Sequence, residues 1–248
     1  MASIKHQFRS LFSFQTPELN YNLMILRALL VLLLFSCGQI LNAASVLVCT
    51  TGVSSSGSQL PVGAIDPHWQ IVSGPGVSAP IPAVVLSDQR IGSVNSYMQT
   101  PDSRWIWVND SGVALFDAPY VFQLVFDLTG IDPARVSLSG IWGVDNVGFI
   151  RLNGSTNGIG SGIIALPDVL YSNYEVLHSF TLNNGFLPGT NLLEFVVTDT
   201  GVIGALNVSD LRITVDVPEP GSIFLQALVA ASMTAAITRR NRRIAKFK

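Results

Sequence analysis

Short runs of apolar and β-branched residues, separated by Gly, Pro, Asn, Asp and Ser, dominate residues 45–216. Such runs are typical of β-strands, because turn residues end each run before a helical period is established. No window between the runs keeps helical periodicity beyond about eight residues. The pattern predicts ten strands, at residues 46–49, 69–72, 83–86, 105–108, 121–128, 135–142, 148–153, 177–182, 192–198 and 211–215. Ten short strands without intervening helices predict an all-β fold, a single antiparallel β-sandwich or jelly roll.

Two stretches of this region depart from the simple pattern. The run at residues 121–128 has six apolar positions, interrupted only by Gln123 and Asp127, which predicts a strand largely buried on both faces. Residues 51–78 are rich in Gly and Ser and hold one apolar cluster. We therefore expect this second stretch to wrap the sandwich as loop and edge strand.

The N-terminus has the pattern of a secretory signal peptide. Arg27 precedes an apolar run at residues 28–35, and small residues follow at Ala43 and Ala44. The pattern predicts a signal peptide over residues 1–44, with either Met1 or Met24 as the true start. A lipoprotein is the alternative, because Cys37 ends a sequence close to a lipobox. After cleavage at Ala43 or Ala44, Cys49 is the one remaining thiol, and we expect it to be a small buried hydrophobe.

The C-terminal segment, residues 217–248, combines three features in order. Val217-Pro218-Glu219-Pro220 is followed by an uncharged run over residues 220–238. Nineteen helical residues span roughly 28 Å, so this run predicts a transmembrane helix. A basic cluster follows, formed by Arg239, Arg240, Arg242 and Arg243. The cluster predicts a cytoplasmic C-terminus with the β domain across the membrane, and a buried amphipathic helix is the alternative.

The Val-Pro-Glu-Pro motif, short apolar helix and Arg cluster at residues 217–243 resemble the PEP-CTERM sorting signal of exported Gram-negative bacterial proteins. The resemblance implies recognition at Pro218-Glu219-Pro220 by an exosortase-type membrane protease or transpeptidase. It also implies transient anchoring in the inner membrane, removal of the tail, and transfer of the protein to the cell surface or extracellular matrix. The chain is thereby divided into a signal peptide at 1–44, an ectodomain at 45–216 and a sorting signal at 217–248.

Charge limits the partners of the ectodomain. The chain is 48% hydrophobic and only 12% charged, and its basic residues are concentrated at the two ends. Between residues 45 and 216, five arginines and no lysines stand against fourteen acidic residues, a net charge of about −9. Nucleic acid and anionic polysaccharide both require a positive surface, so this balance argues against either as a ligand.

Several short motifs of the ectodomain resemble the galactose-binding-like jelly roll of bacterial surface proteins. They lie at residues 63–72, 127–132, 140–146, 148–154 and 188–195, and include an Asp-Asn turn, a Leu-Asn-Gly strand end and a Gly-x-Asn turn. The resemblance implies a jelly-roll fold, with an extracellular polysaccharide as a potential partner.

The turn residues of these motifs have two interpretations. Asp145-Asn146 and Asn153-Gly154 are residue pairs that tight hairpin turns require, which needs no ligand. Alternatively, a loop edge brings together carbohydrate contacts, in which polar groups bind sugar hydroxyls and an aromatic ring stacks on the sugar. The candidate contacts are Asp145, Asn146, Arg151 and Trp142, with Trp105 and Trp107 as further candidates for stacking.

The chemistry-bearing residues match no catalytic, metal or phosphate motif. Asp110 and Asp199 lie in acidic loops but lack calcium-loop spacing. We therefore predict a non-catalytic protein, without cofactor or metal, whose role is weak carbohydrate binding or purely structural. The alternative is a small secreted hydrolase acting on polysaccharide, with two distant carboxylates such as Glu175 and Glu194 as acid and base.

Overall fold

The structure of the chain is a computed structural model that describes residues 48–89, 96–113, 117–168, 172–216 and 231–232. Contacts between residues define a compact unit, Ala43–Val217, which holds all the described strands. The predicted signal peptide at 1–44 lies outside the described residues, as does the predicted sorting segment at 217–248 apart from Ala231 and Ser232. No helix within the described ranges is long and apolar enough to cross a membrane.

The described residues between 48 and 216 form eleven strands and two short helical turns. The strands are β1 Ile65–Ser73, β2 Ile81–Val85, β3 Ile106–Trp107, β4 Pro119–Asp127, β5 Val136–Asp145, β6 Val147–Leu152, β7 Gly160–Gly162, β8 Ala165–Leu166, β9 His178–Leu182, β10 Thr190–Thr198 and β11 Ala205–Val215. A 3₁₀ turn, Pro133–Arg135, precedes β5, and a one-turn helix, α1 Ser172–Glu175, precedes β9. The prediction of an all-β fold is confirmed.

All the strand pairs are antiparallel, in the order β7-β9-β5-β11-β3-β2-β1-β4-β10-β6-β8. The sheet curls so that distant strands face each other. The ring of Trp142 on β5 lies 5.3 Å from that of Phe195 on β10, and Phe180 on β9 lies 5.9 Å from Phe195. The β9–β5–β11 half therefore covers the β1–β4–β10–β6 half, as in a β-sandwich.

Aromatic side chains fill the space between the two halves. Burial of each such side chain stabilises the fold by roughly 1.5–3 kcal/mol. The largest fully buried rings are Trp69, Trp105, Trp107, Trp142, Tyr97, Phe122, Phe180 and Phe195. The sheet ends on two very short strands, β7 and β8, which leaves little exposed edge for pairing with another chain.

Nine of the ten predicted strands coincide with observed strands. The strand predicted at residues 46–49 is wrong where it can be seen, since Val48 and Cys49 have no strand pairing. The residues that follow make single backbone hydrogen bonds to β11 and to the segment before β3. Thr51 donates its N–H to the backbone oxygen of Val208, and its own oxygen accepts the N–H of Arg104, each at 2.9 Å. Strands β7 and β8 were not predicted, because one is Gly-Ser-Gly and the other has two residues.

Strand β4 is fully buried on one face and only partly on the other, so the prediction of burial on both faces holds at Val121, which is 8% exposed, but not at Val125. Its alternate residues Tyr120, Phe122, Leu124 and Phe126 are in the core, whereas Val125 on the other face is 53% exposed. The apolar outward residues reflect a partly covered outer face rather than a second core.

The predicted turns differ from each other. Strands β5 and β6 are not paired, because β5 pairs with β9 and β11 while β6 pairs with β10 and β8. Asp145-Asn146 is therefore a crossover between the two halves and not a hairpin. Asn153 and Gly154 do form a tight turn, with φ of 51° and 79° and paired backbone hydrogen bonds between Leu152 and Ser155.

Candidate functional site

A row of polar side chains crosses the outer face of β1, β4, β10 and β6. The strand registers pair Gln70 with Gln123, Gln123 with Glu194, and Glu194 with Arg151. In each strand the residues on either side of the row point into the core, so alternation directs the row outward. Four strands from distant parts of the sequence thus place four hydrogen-bonding side chains in one line, which we call the polar row.

One hydrogen bond and one ion pair connect three members of the polar row. Gln123 donates from Nε2 to Oε1 of Glu194 at 3.1 Å, and Nε of Arg151 lies 3.0 Å from Oε2 of the same carboxylate. Glu194 is only 7% exposed, and its two oxygens are held by the hydrogen bond from Gln123 and the ion pair with Arg151. Gln70 is exposed at the end of the row. The polar row therefore combines a fixed anionic centre with an amide available to solvent.

A pocket of about 220 Å³ adjoins the exposed end of the polar row. Its polar lining comes from Gln70, Gln123 and His68, and its apolar lining from Val125; Leu124, whose side chain is in the core, also borders it. The remaining lining residues are Cys49 and Pro67. The mixture of amide, imidazole and aliphatic groups is suited to a small neutral ligand with several hydroxyl groups.

Asp66 holds the backbone below this pocket. Its Oδ1 accepts backbone N–H groups of His68 and Trp69 at 2.8 and 3.1 Å, and its Oδ2 accepts that of Gly52 at 2.6 Å. Burial raises the pKa of this carboxyl, although the three N–H donors act in the opposite direction. Asp66 therefore fixes the loop before β1 against β1 itself.

Cys49 is in an environment that disfavours its thiolate. Burial, followed by the nearby carboxylate of Asp66, raises the pKa of the Cys49 thiol. The thiol stays protonated at neutral pH and is a poor nucleophile. The pocket thus presents hydrogen-bonding and apolar groups beside a protonated thiol.

The aromatic candidates for sugar stacking are in the core. Trp142 has no exposed surface, and its Nε1 donates to the backbone oxygen of Ile163 at 2.7 Å. Trp105 and Trp107 are equally buried. None of the three rings presents a face to solvent, so each contributes to packing.

The polar candidates Asp145 and Asn146 lie at the crossover between β5 and β6. Asp145 is 5% exposed and accepts a hydrogen bond from the Tyr97 hydroxyl at 2.6 Å. The amide oxygen of Asn146 accepts the backbone N–H of Thr200 at 2.9 Å. These contacts connect loops to each other. Of the four predicted contacts, the structure places Arg151 alone in the polar row.

Sequence reasoning missed Gln70 and Gln123. Each is an isolated polar residue between apolar residues of a strand. The alternation of polar and apolar positions indicates that such a residue points away from the core. Their alignment depends on the register of β1 against β4, which no local pattern specifies.

The two carboxylates considered for hydrolysis are in different surroundings. Glu194 is fixed in the polar row by Arg151 and Gln123, whereas Glu175 ends helix α1, which packs beside β5. Within the described part of the chain, no hydrogen bond or ion pair joins them.

In the described ranges, no group of three or more His, Cys, Asp or Glu side chains is placed to hold a metal ion. Asp110 accepts a hydrogen bond from the Ser87 hydroxyl at 3.0 Å, and Asp199 is completely buried.

Comparison of the chain with protein-family models, with curated proteins and with solved structures finds no match.

Proposed function

We propose that this chain is an exported surface or extracellular-matrix protein whose β domain is a non-catalytic module that binds neutral carbohydrate. The ligand occupies the pocket at the end of the polar row and extends along that row. The observation that supports this proposal is the alignment of Gln70, Gln123, Glu194 and Arg151 across four strands beside a pocket of about 220 Å³. Amide and charged groups in a fixed line are suited to the hydroxyl groups of successive sugar units.

Exposed apolar side chains on the same face provide a surface for sugar rings. Val125 and Phe149, which flank the polar row on β4 and β6, are 53% and 37% exposed. Aliphatic and aromatic surfaces pack against the C–H faces of sugar rings, while the polar row supplies hydrogen bonds. The net charge of about −9 over residues 45–216 favours a neutral glycan over an acidic one.

We infer a galactose-binding-like jelly roll as the finer architecture. The inference is supported by a contact between two of the motifs that carry the resemblance. Asn153 donates from Nδ2 to Oδ1 of Asn191 at 2.9 Å, and Asn191 donates to the backbone oxygens of Leu187 and Gly189. The Leu-Asn-Gly strand end and the Gly-x-Asn turn thus form one hydrogen-bonded unit.

Export and sorting belong to the same proposal and rest on the sequence. Val217-Pro218-Glu219-Pro220, the uncharged run at 220–238 and the Arg cluster have the order of a PEP-CTERM signal. An exosortase-type enzyme in the inner membrane is the proposed partner, and the cell surface or matrix is the proposed destination.

The binding proposal is tested with the full-length protein in detergent on an array of neutral oligosaccharides, followed by titration calorimetry of any ligand found. Gln70→Ala removes an exposed side chain, so we expect about fivefold weaker binding from the loss of one hydrogen bond. Thr214→Ala, at an exposed position on β11, is the matched control and should bind as the wild type does. Absence of binding to the array, or equal losses in both variants, would contradict the proposal.

A further inference from the structure

Three loops and the segment before β4 meet at one end of the domain. Asp117 donates its backbone N–H to the backbone oxygen of Asp199 at 2.7 Å. Thr200 donates its backbone N–H to Oδ1 of Asn146 and its hydroxyl to Oδ2 of Asp168, at 2.9 and 3.0 Å. Asp117, Asp168 and Asp199 therefore each make a hydrogen bond to the β10–β11 loop or within it. None of the three forms an ion pair with a described residue.

Asp199 is the unusual member of this group. It has no exposed surface, and its Oδ1 accepts the backbone N–H of Gly201 at 2.7 Å. Its Oδ2 is buried and has no hydrogen-bond partner among the described residues. Burial raises the pKa of the Asp199 carboxyl, the N–H of Gly201 acts in the opposite direction, and the charge of Asp117 adds to the increase. A buried carboxylate oxygen without a partner is costly, so this oxygen requires a compensating group.

We propose that the β10–β11 loop binds a divalent cation, Ca²⁺, through Oδ2 of Asp199 and the carboxylate of Asp117. The donors at this end are all oxygens, which a hard cation prefers over softer metals. Oδ1 of Asn146 is close by, since a Cβ placed on Gly201 would lie 3.7 Å from it and 3.6 Å from Oδ1 of Asp199. Irregular loops suit Ca²⁺ better than Mg²⁺, which requires near-ideal octahedral geometry.

The bound ion would connect the segment before β4 to the β10–β11 loop. The ion would place a positive charge between the two carboxylates, in place of a mutual repulsion. Extracellular modules bind Ca²⁺ with dissociation constants of about 10⁻⁴–10⁻³ M, and we expect this site to fall in that range.

Thermal unfolding of the full-length protein tests this site. The protein is first treated with EDTA and dialysed, and is then melted with CaCl₂ or MgCl₂. With about 5 mM CaCl₂ we expect the wild-type Tm to rise by about 5 °C, and MgCl₂ to have a smaller effect. Titration calorimetry with CaCl₂ should give one site per chain.

Two variants and a matched control locate the ion. Asp199→Asn keeps the oxygen that accepts from Gly201 but removes the charge, so the Ca²⁺-dependent shift should disappear. Asp117→Asn changes an exposed residue and should weaken Ca²⁺ binding at least tenfold. Asp127→Asn is the control, because Asp127 also accepts the backbone N–H two residues ahead, at 3.0 Å, but is exposed. It should keep the full shift.

Two results would overturn the proposal. One is a wild-type Tm that does not respond to Ca²⁺. The other is an Asp199→Asn variant that shifts as much as the wild type, which would place the ion elsewhere. An absence of glycan binding at the polar row leaves this test unaffected, because the two sites share no residue.

Discussion

Gly204, between β10 and β11, is the position where packing of the core can be tested most sharply. A Cβ at this position would lie 2.1, 2.4 and 2.5 Å from three atoms of the Trp107 indole. The ring has no exposed surface, and it packs on Phe122 and Tyr120 with centroid separations of 5.4 and 5.3 Å. The backbone of Gly204 is also fixed, because its N–H donates to Gly112 at 2.9 Å. Neither side can move without disturbing other buried groups.

Gly204→Ala should therefore destabilise the domain strongly. Overpacking of a core costs about 1–3 kcal/mol. The new Cβ would clash with three atoms of a rigid ring, so we expect the cost of Gly204→Ala to be at the upper end of that range. For a domain of this size, about 3 kcal/mol corresponds to a fall in Tm of about 6–12 °C.

Gly201→Ala, in the same loop, is the matched control for this prediction. Its Cβ would meet its neighbours at 3.6 and 3.7 Å, which is ordinary contact, so its Tm should change by less than about 2 °C. Both variants are compared with the wild type by circular dichroism and by urea denaturation of the full-length protein. Equal melting temperatures for Gly204→Ala and the wild type would refute the assigned packing of Trp107 against this loop.

Two further predictions concern backbone strain and pH. Gly154 has a φ of 79°, and a Cβ added to it would meet no neighbour within 4 Å. Gly154→Ala should therefore lower the free energy of unfolding by about 1 kcal/mol from backbone strain alone, as measured by urea denaturation. An unchanged denaturation midpoint would contradict the assigned turn. Because the folded pKa of Asp66 is raised above its ordinary value of 3.8, its contribution to stability is full below that pH and is lost as pH rises through the folded pKa. In the wild type the free energy of unfolding should therefore fall as pH rises above about 4, and Asp66→Asn should reduce the slope of that fall by up to about 1.4 kcal/mol per pH unit. The exposed control Asp132→Asn should leave the slope unchanged. Identical pH profiles for the wild type and Asp66→Asn would count against this reasoning.

The strands were largely predictable because each buries an apolar run that local sequence reveals. Strand β7 was not, because Gly160–Gly162 has no apolar pattern. Its glycines are required by close approach to β9, since a Cβ on Gly160 would lie 2.0 Å from the backbone oxygen of Thr181. That constraint exists only after β9 is in place.

The turn predictions show the same limit. Asn153-Gly154 was predictable because both residues adopt positive φ in a local hairpin. Asp145-Asn146 has similar composition, but β5 pairs with β9 and β11, strands that come later in the chain. The pairing of β5 with strands later in the chain therefore makes Asp145-Asn146 a crossover and not a hairpin turn.

The candidate site depended on nonlocal register even more strongly. Gln70 and Gln123 become neighbours through the pairing of β1 with β4, and Glu194 joins them through β10. Trp142 was a reasonable candidate for stacking by residue type, but type alone does not distinguish a core ring from an exposed one.

The central claim, that this is an exported protein sorted by its C-terminal segment, is tested most directly by fractionating cells. The full-length chain and a variant lacking residues 221–248 are expressed in a Gram-negative host that carries an exosortase, and each is located by surface labelling and by mass spectrometry of its C-terminus. We predict that the full-length protein reaches the surface or matrix with its tail removed near Pro218-Glu219-Pro220, and that the truncated protein is released into the medium or retained in the periplasm. Unchanged surface display of the truncated protein, or an intact tail on the displayed full-length protein, would contradict the claim.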